Sequence, residues 1–354
     1  MRLCMLNLLL VCLYSLTTAA HAQIKAAFIY VGPAKEVGWS HSHDEGRQYL
    51  EKVFGADVKT EYAEFVQEGR ASAEAIRKLA ENNDIIFTTS QGYMVTTARV
   101  AREFPAVKFD NATGLRLSDN LGSYAARAYE PRYLSGMIAG AMTRSNRIGF
   151  VAAHAIPEVI RGINAFTLGV RRVNPQAVVE VKWTRQWYAP DKASELAREL
   201  LKSGADVLTH HTDSPAVVKE AEAAGVFAIS FHSNMSEFAP TKQIASVGYD
   251  WGKYYATQIQ ALKEGNWSSK RLWLGMGEDI AQLNNLSDQI PAAVRDQVLQ
   301  VEKEIKNKTF SVFSGPVLNS RGRPLVRAGE SLTDDELLRM NWYVEGVVGE
   351  MPSF

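Results

Sequence analysis

The chain has 354 residues with 39 basic and 39 acidic side chains, a formal net charge of zero at pH 7. That balance excludes the basic surface of a nucleic-acid or anionic-membrane binder. The length exceeds one ordinary core and suits two lobes, and beyond residue 22 no apolar run approaches the roughly 18 residues of a membrane span.

Residues 1–22 read as a cleavable export leader: Arg2, an apolar core from Leu6 to Leu16, and Ala20-His21-Ala22 with the small-x-small form of a processing site. The protein is therefore expected to be exported to the periplasm. Both cysteines, Cys4 and Cys12, lie in this segment, so the remainder has no thiol. Cys12 follows Val11 inside the apolar core rather than a small residue at its end, which argues against a lipid anchor.

From residue 23 the pattern alternates. Ile24–Ile29 has the make-up of a buried strand, and a loop carrying Gly32, Pro33, Gly38 and Trp39 leads to a helix over Glu45–Phe54. A strand at Asp57–Ala63, a helix at Arg70–Asn82, a strand at Asp84–Thr89 and a helix at Val95–Glu103 follow. Ala106–Phe109, ending at Asp110, and Asn120–Ala126 read as further strands, and Tyr133–Arg144 as a helix of small residues suited to close packing. The rhythm restarts at Arg147–Ala152: a helix at Val159–Val173, strands at Val178–Trp183, Asp206–His210 and Phe227–Ser230, and helices at Asp191–Ser203 and Pro215–Ala224. Strands separated by such helices mean βαβ units and parallel sheets. The expected α/β architecture is two doubly wound parallel-sheet lobes joined by a hinge of several strands: 23–146 with about 250–275, and 147–249 with about 276–354. Past a helix at Trp251–Glu264 the signal weakens to a strand at Leu272–Leu274, a helix at Pro291–Asn307, a short strand at Phe310–Phe313 and a helix at Asp334–Val344.

A cleft between two lobes is a natural ligand site, lined by the loops that follow strands. These loops hold Trp39 and Ser40, Ser90-Gln91-Gly92, Asp110, Gln186-Trp187-Tyr188, His210–Ser214 and Phe231–Asn234. Such a mixture can stack a flat ring and hydrogen-bond its edge. Catalysis lacks support, since GxSxG, GxxxxGK[ST] and HExxH are missing and the first strand leads into GPAKEVGW rather than GxGxxG. Asp213 beside His211 fits a nucleoside-processing pair no better than a binding loop. His41, His43, His210, His211 and His232 could form a zinc site only if the lobes gathered them. No enzyme activity, cofactor or metal is expected. Each candidate keeps a plainer role: Asp110 as a cap, Trp187 as a packing corner, Asp213 as the cap of the helix at Pro215, and Asp250 as a hinge residue.

VGWSHSHDEG, GYMVTTARVAREFPAVKFD, NLGSYAARAYEPRYLSGMIAGAMTRSNRIGFV, WYAPDKASELARELLKSGADVL and MNWYVEGVVG together resemble the basic membrane protein family of bacterial solute receptors, purine nucleoside receptor type. The resemblance implies a type I periplasmic-binding-protein fold and a receptor that presents a small molecule to an ABC permease. It also implies an aromatic clamp on a purine, with Trp39 as the first ring, Trp187 the opposing ring and Asp110 the acid at the base edge. Nucleoside-binding relatives hold ribose with an aspartate and a lysine. Here SFHSN places His232 and Asn234 where carboxylates are expected, and SVGYDW places Tyr249 near the lysine position. The expected ligand is therefore a free base such as adenine, with a nucleoside receptor or a sensory subunit as the alternatives. The expected binding set is Trp39, Ser40, Asp110, Trp187, His211, Asp213, His232, Asn234 and Asp250, in a monomer that binds no nucleic acid and inserts in no membrane.

Overall fold

A computed structural model describes residues 23–352. The expected leader lies outside the described residues. The elements run β1 (Ile24–Ile29), α1 (Trp39–Phe54), β2 (Val58–Ala63), α2 (Ser72–Ala80), β3 (Ile85–Thr88), α3 (Met94–Glu103), β4 (Lys108–Ala112), β5 (Leu121–Ala126) and α4 (Tyr129–Met142). Then follow β6 (Arg147–Ala152), α5 (Pro157–Val173), β7 (Val178–Trp183), α6 (Pro190–Lys202), β8 (Val207–His211), α7 (Ala216–Ala224), β9 (Phe227–His232), β10 (Gln243–Tyr249) and α8 (Trp251–Lys263). The chain closes with β11 (Arg271–Leu274), β12 (Ala281–Asn284), α9 (Ala292–Lys306), β13 (Val317–Leu318), β14 (Pro324–Val326), α10 (Asp334–Leu338) and β15 (Val347–Val348).

Two sheets result. One has the order β11-β5-β4-β3-β1-β2 with every pair parallel. The other has the order β12-β10-β9-β8-β6-β7-β15, in which β12 alone runs antiparallel. Both are doubly wound, as the alternating pattern requires, because a strand buried on both faces needs apolar residues at every position. Phe28 of β1 and Tyr30 just after it join Leu50 and Tyr255 on one side, while Ala27 and Ile29 join Ile76 and Val100 on the other. In the second sheet Phe150 packs with α5, and Val151 packs with Ala193, Leu196 and Val217 of α6 and α7.

The chain passes between the sheets after β5, after β10 and after β11, so three segments join the lobes. α4 packs on α5 at very close range. A Cβ at Gly136 would collide with the Phe166 carbonyl oxygen, and one at Gly169 with that of Tyr133. α4 lies before residue 146 and packs on α5 beyond it, its glycines matching a partner that follows it in sequence. Two corrections concern the C-terminal part. Phe310–Phe313 forms no strand, its phenylalanines instead meeting Tyr133 and Tyr129 at 5.3 and 5.7 Å between ring centres. The last helix ends at Leu338 rather than Val344, and the chain then turns so that the Val344 amide donates to Asn164 Oδ1 at 3.0 Å.

Candidate functional site

In each sheet the strand order reverses beside its first strand, between β1 and β3 and between β6 and β8. Open α/β sheets bind ligands at such switch points, beyond the carboxyl ends of the strands. Here the two switch points share one cleft of about 450 Å³ of open space. Val31, Trp39, Ser90, Gln91 and Thr113 line it from the first lobe, and Ile156, Glu158, Trp187, His211, Asp213 and His232 from the second.

Trp39 is the first residue of α1, not a loop residue as expected. Its indole nitrogen donates to the Thr89 carbonyl at 2.6 Å, which ties the ring to the end of β3. His43, His232, Tyr249 and Trp251 meet it edge-on, with ring centres 4.3, 5.2, 5.7 and 5.8 Å away. Trp187, beyond β7, meets His154 at 4.8 Å and His211 at 6.2 Å. The cleft thus carries one indole from each lobe, each fixed by protein contacts.

The polar groups differ in their electrostatics. Burial pushes the Asp213 carboxyl up to about 7, against the opposing effect of hydrogen bonds from Trp39 and Ser40. Burial likewise raises the Glu158 carboxyl, with Arg161 opposing. Glu158 sits in the first turn of α5 and has no hydrogen-bond or ion-pair partner among the described residues. His211 and His232 are held well below the usual histidine range, first by burial and then by neighbouring positive groups that include Arg132. Both are therefore neutral near pH 7, and the Nδ1 of each is buried without a partner. An unpartnered buried polar atom is costly, so these rings are candidates for contact with water or ligand. Arg132 lies beneath them, its Nη1 donating to Thr209 Oγ1 at 2.8 Å and its guanidinium 3.7 Å from the Phe231 ring centre.

Of the nine residues expected from sequence, Trp39, Trp187, His211, Asp213 and His232 line this cleft. Ser40 stands behind it, buried, accepting from the Gly32 amide at 3.0 Å. Asp110 is elsewhere: β4 extends through it, and its buried carboxylate accepts from the Tyr254 hydroxyl at 2.9 Å under α8. Asn234 is exposed and organises its own turn, accepting from Ser236 N at 3.1 Å and Gln243 Nε2 at 2.7 Å. Asp250 caps α8 through the Lys253 amide at 3.3 Å. Sequence reasoning missed Glu158, because α5 begins at Pro157 rather than Val159. A proline at the first helical position followed by an acid was the readable signal.

The sequence from residue 23 to 314 matches the family model for PnrA-like ABC transporter substrate-binding proteins. A purine-binding protein of Brucella abortus is 39% identical over 96% of this chain and 97% of its own length. A Haloferax volcanii protein named for glucose binding in an ABC transporter is 37% identical over 93% of this chain and 82% of its own. Among solved structures, an ABC transporter solute-binding protein of Conexibacter woesei superposes with a TM-score of 0.69 at 21% identity, over 81% of this chain and 98% of that one. With a family model across most of its length, a relative at that identity and a two-lobe fold built around the cleft, the chain belongs to the PnrA-like ABC transporter substrate-binding family.

Proposed function

We propose that this receptor captures a purine-type heterocycle, a free nucleobase such as adenine, between its lobes and delivers it to an ABC permease. The observation that carries the reading is that Trp39 and Trp187, from opposite lobes, line one cavity. Stacking on such rings is worth about 1–3 kcal/mol per base, and base edges need the donors and acceptors that Gln91, Glu158, His211 and His232 supply. The purine-binding relative supports the ligand class. The preference for a base over a nucleoside rests on Tyr249 and His232. These stand where nucleoside-binding relatives are expected to carry charge, yet both pack against Trp39 as buried or half-buried rings. Lobe closure then converts ligand contacts into the shape a permease reads. The remaining parts of the reading are export behind a leader at 1–22, a monomeric state, and lobes made of 23–146 with about 250–275 and 147–249 with about 276–354.

Calorimetry on the purified protein tests this. Adenine is expected to bind at micromolar concentration or below, with adenosine at least tenfold weaker and glucose without measurable heat. Tighter binding of adenosine overturns the base preference. Binding of glucose alone overturns the purine reading.

A further inference from the structure

α1 is a helix of 16 residues whose own N-cap position is Gly38, which has no side chain to offer its first amides. Those amides are the donors a helix leaves unsatisfied at its start. They are met from the other lobe. The Asp213 carboxylate, beyond β8, accepts from the Trp39 amide through Oδ1 and from the Ser40 hydroxyl through Oδ2 at 3.5 Å. Two glycines make the approach possible. A Cβ on Gly32 would stand 2.8 Å from Asp213 Oδ2, and one on Gly38 would collide with Oδ1. Gly38 also holds φ at +144°, a conformation that L side chains rarely adopt. Asp213 is fixed in turn, its amide donating to the Trp187 carbonyl at 2.8 Å. One residue, through its carboxylate on one side and its amide on the other, therefore links the backbones of both cleft tryptophans. A second bond between the lobes joins the Tyr188 hydroxyl, beyond β7, to Glu36 Oε2, beyond β1, at 2.7 Å.

We propose that Asp213 is a positioning residue that caps α1 in trans, so that the helix carrying Trp39 is completed only when the lobes close. Hinge closure is a standard motion of two-lobe receptors. When the lobes part, Asp213 leaves with the second lobe and the first amide of α1 faces water. Closure then forms the cap and sets the Trp39 and Trp187 backbones in one register around the ligand. The role rests on the cleft being the binding site, as proposed above, but not on which heterocycle fills it. It also differs from direct ligand contact: Asp213 acts through Trp39.

The test combines amide hydrogen exchange at Trp39 with adenine binding kinetics in the full-length protein, comparing wild type, D213A, D213N and G32A. D213A is expected to speed Trp39 exchange at least tenfold and to weaken adenine binding by about fivefold to tenfold, the usual effect of a lost cap, through faster dissociation. D213N keeps an acceptor oxygen and is expected to recover most of both. G32A crowds the carboxylate, and its effect on dissociation is expected to vanish in a D213A background, where nothing is left to crowd. Unchanged Trp39 exchange in D213A overturns the proposal. So does faster exchange with unchanged adenine dissociation, or a G32A effect that persists without Asp213. If wild type binds no adenine, the purine reading fails, and the exchange arm still decides the trans cap.

Discussion

Trp39 donates its indole N–H to the Thr89 carbonyl at 2.6 Å, so the ring that faces the cleft is held by the end of β3. A platform fixed before ligand arrives loses little side-chain freedom on binding, and this preorganisation raises affinity.

Trp39→Ala is therefore expected to weaken adenine binding by tenfold or more, in line with stacking of about 1–3 kcal/mol. Trp39→Phe keeps a ring but not the anchor to Thr89, and an intermediate loss is expected. Calorimetry gives both values, with circular dichroism showing that the fold is retained. An unchanged affinity in Trp39→Ala removes this residue from the site.

Glu158 offers the cleft a carboxyl group that has no hydrogen-bond or ion-pair partner among the described residues, Arg161 acting on it only as a neighbouring charge. Glu158→Gln keeps its shape and replaces one acceptor oxygen with a donor. Adenine affinity is expected to fall about tenfold, the order of a hydrogen bond to a charged group. An affinity within twofold of wild type would show that Glu158 does not touch the ligand.

Asp110 gives a pH prediction. Burial raises its carboxyl from 3.8 to about 7, with the Tyr254 hydrogen bond opposing. A folded-state value above the unfolded one means that the native protein holds the extra proton across that window. Stability contributed by this group is thus fully present below about pH 4 and is lost as pH rises toward 7. Asp110→Asn is expected to flatten that part of the melting-temperature curve and, lying away from the cleft, to leave adenine affinity within about twofold. A large affinity loss would return Asp110 to the site.

These outcomes separate what the sequence made legible from what it did not. β6 and β7 have the ends read from their apolar runs, Arg147–Ala152 and Val178–Trp183, because burial of both faces is written locally. The start of α1 was hidden because its cap lies 174 positions away in Asp213. Asp110 was misplaced by a strand end. With β4 running to Ala112, alternation turns Asp110 toward Tyr254 and Asn111 toward the Thr88 and Ser90 carbonyls. Of the five expected residues that line the cleft, Trp39 opens α1, His211 and His232 end β8 and β9, and Trp187 and Asp213 follow β7 and β8, so position in the fold and not local pattern decides.

The α4–α5 contact was readable as a run of small residues, and it is sensitive. Gly136→Ala forces a methyl group against the Phe166 carbonyl, a backbone atom that cannot swing aside. Overpacking of this kind costs about 1–3 kcal/mol. A fall of several degrees in melting temperature is expected, with adenine affinity little changed in the folded fraction. An unaltered melting temperature would mean that the helices separate without strain.

The central claim is that a flat heterocycle is gripped between one indole from each lobe. A crystal structure of the protein with adenine tests it most directly. The expected result is the purine ring in the cleft, stacked on Trp39 and Trp187 with its edge toward Glu158. Adenine bound outside this cleft, or in it without contact to either tryptophan, would contradict the account.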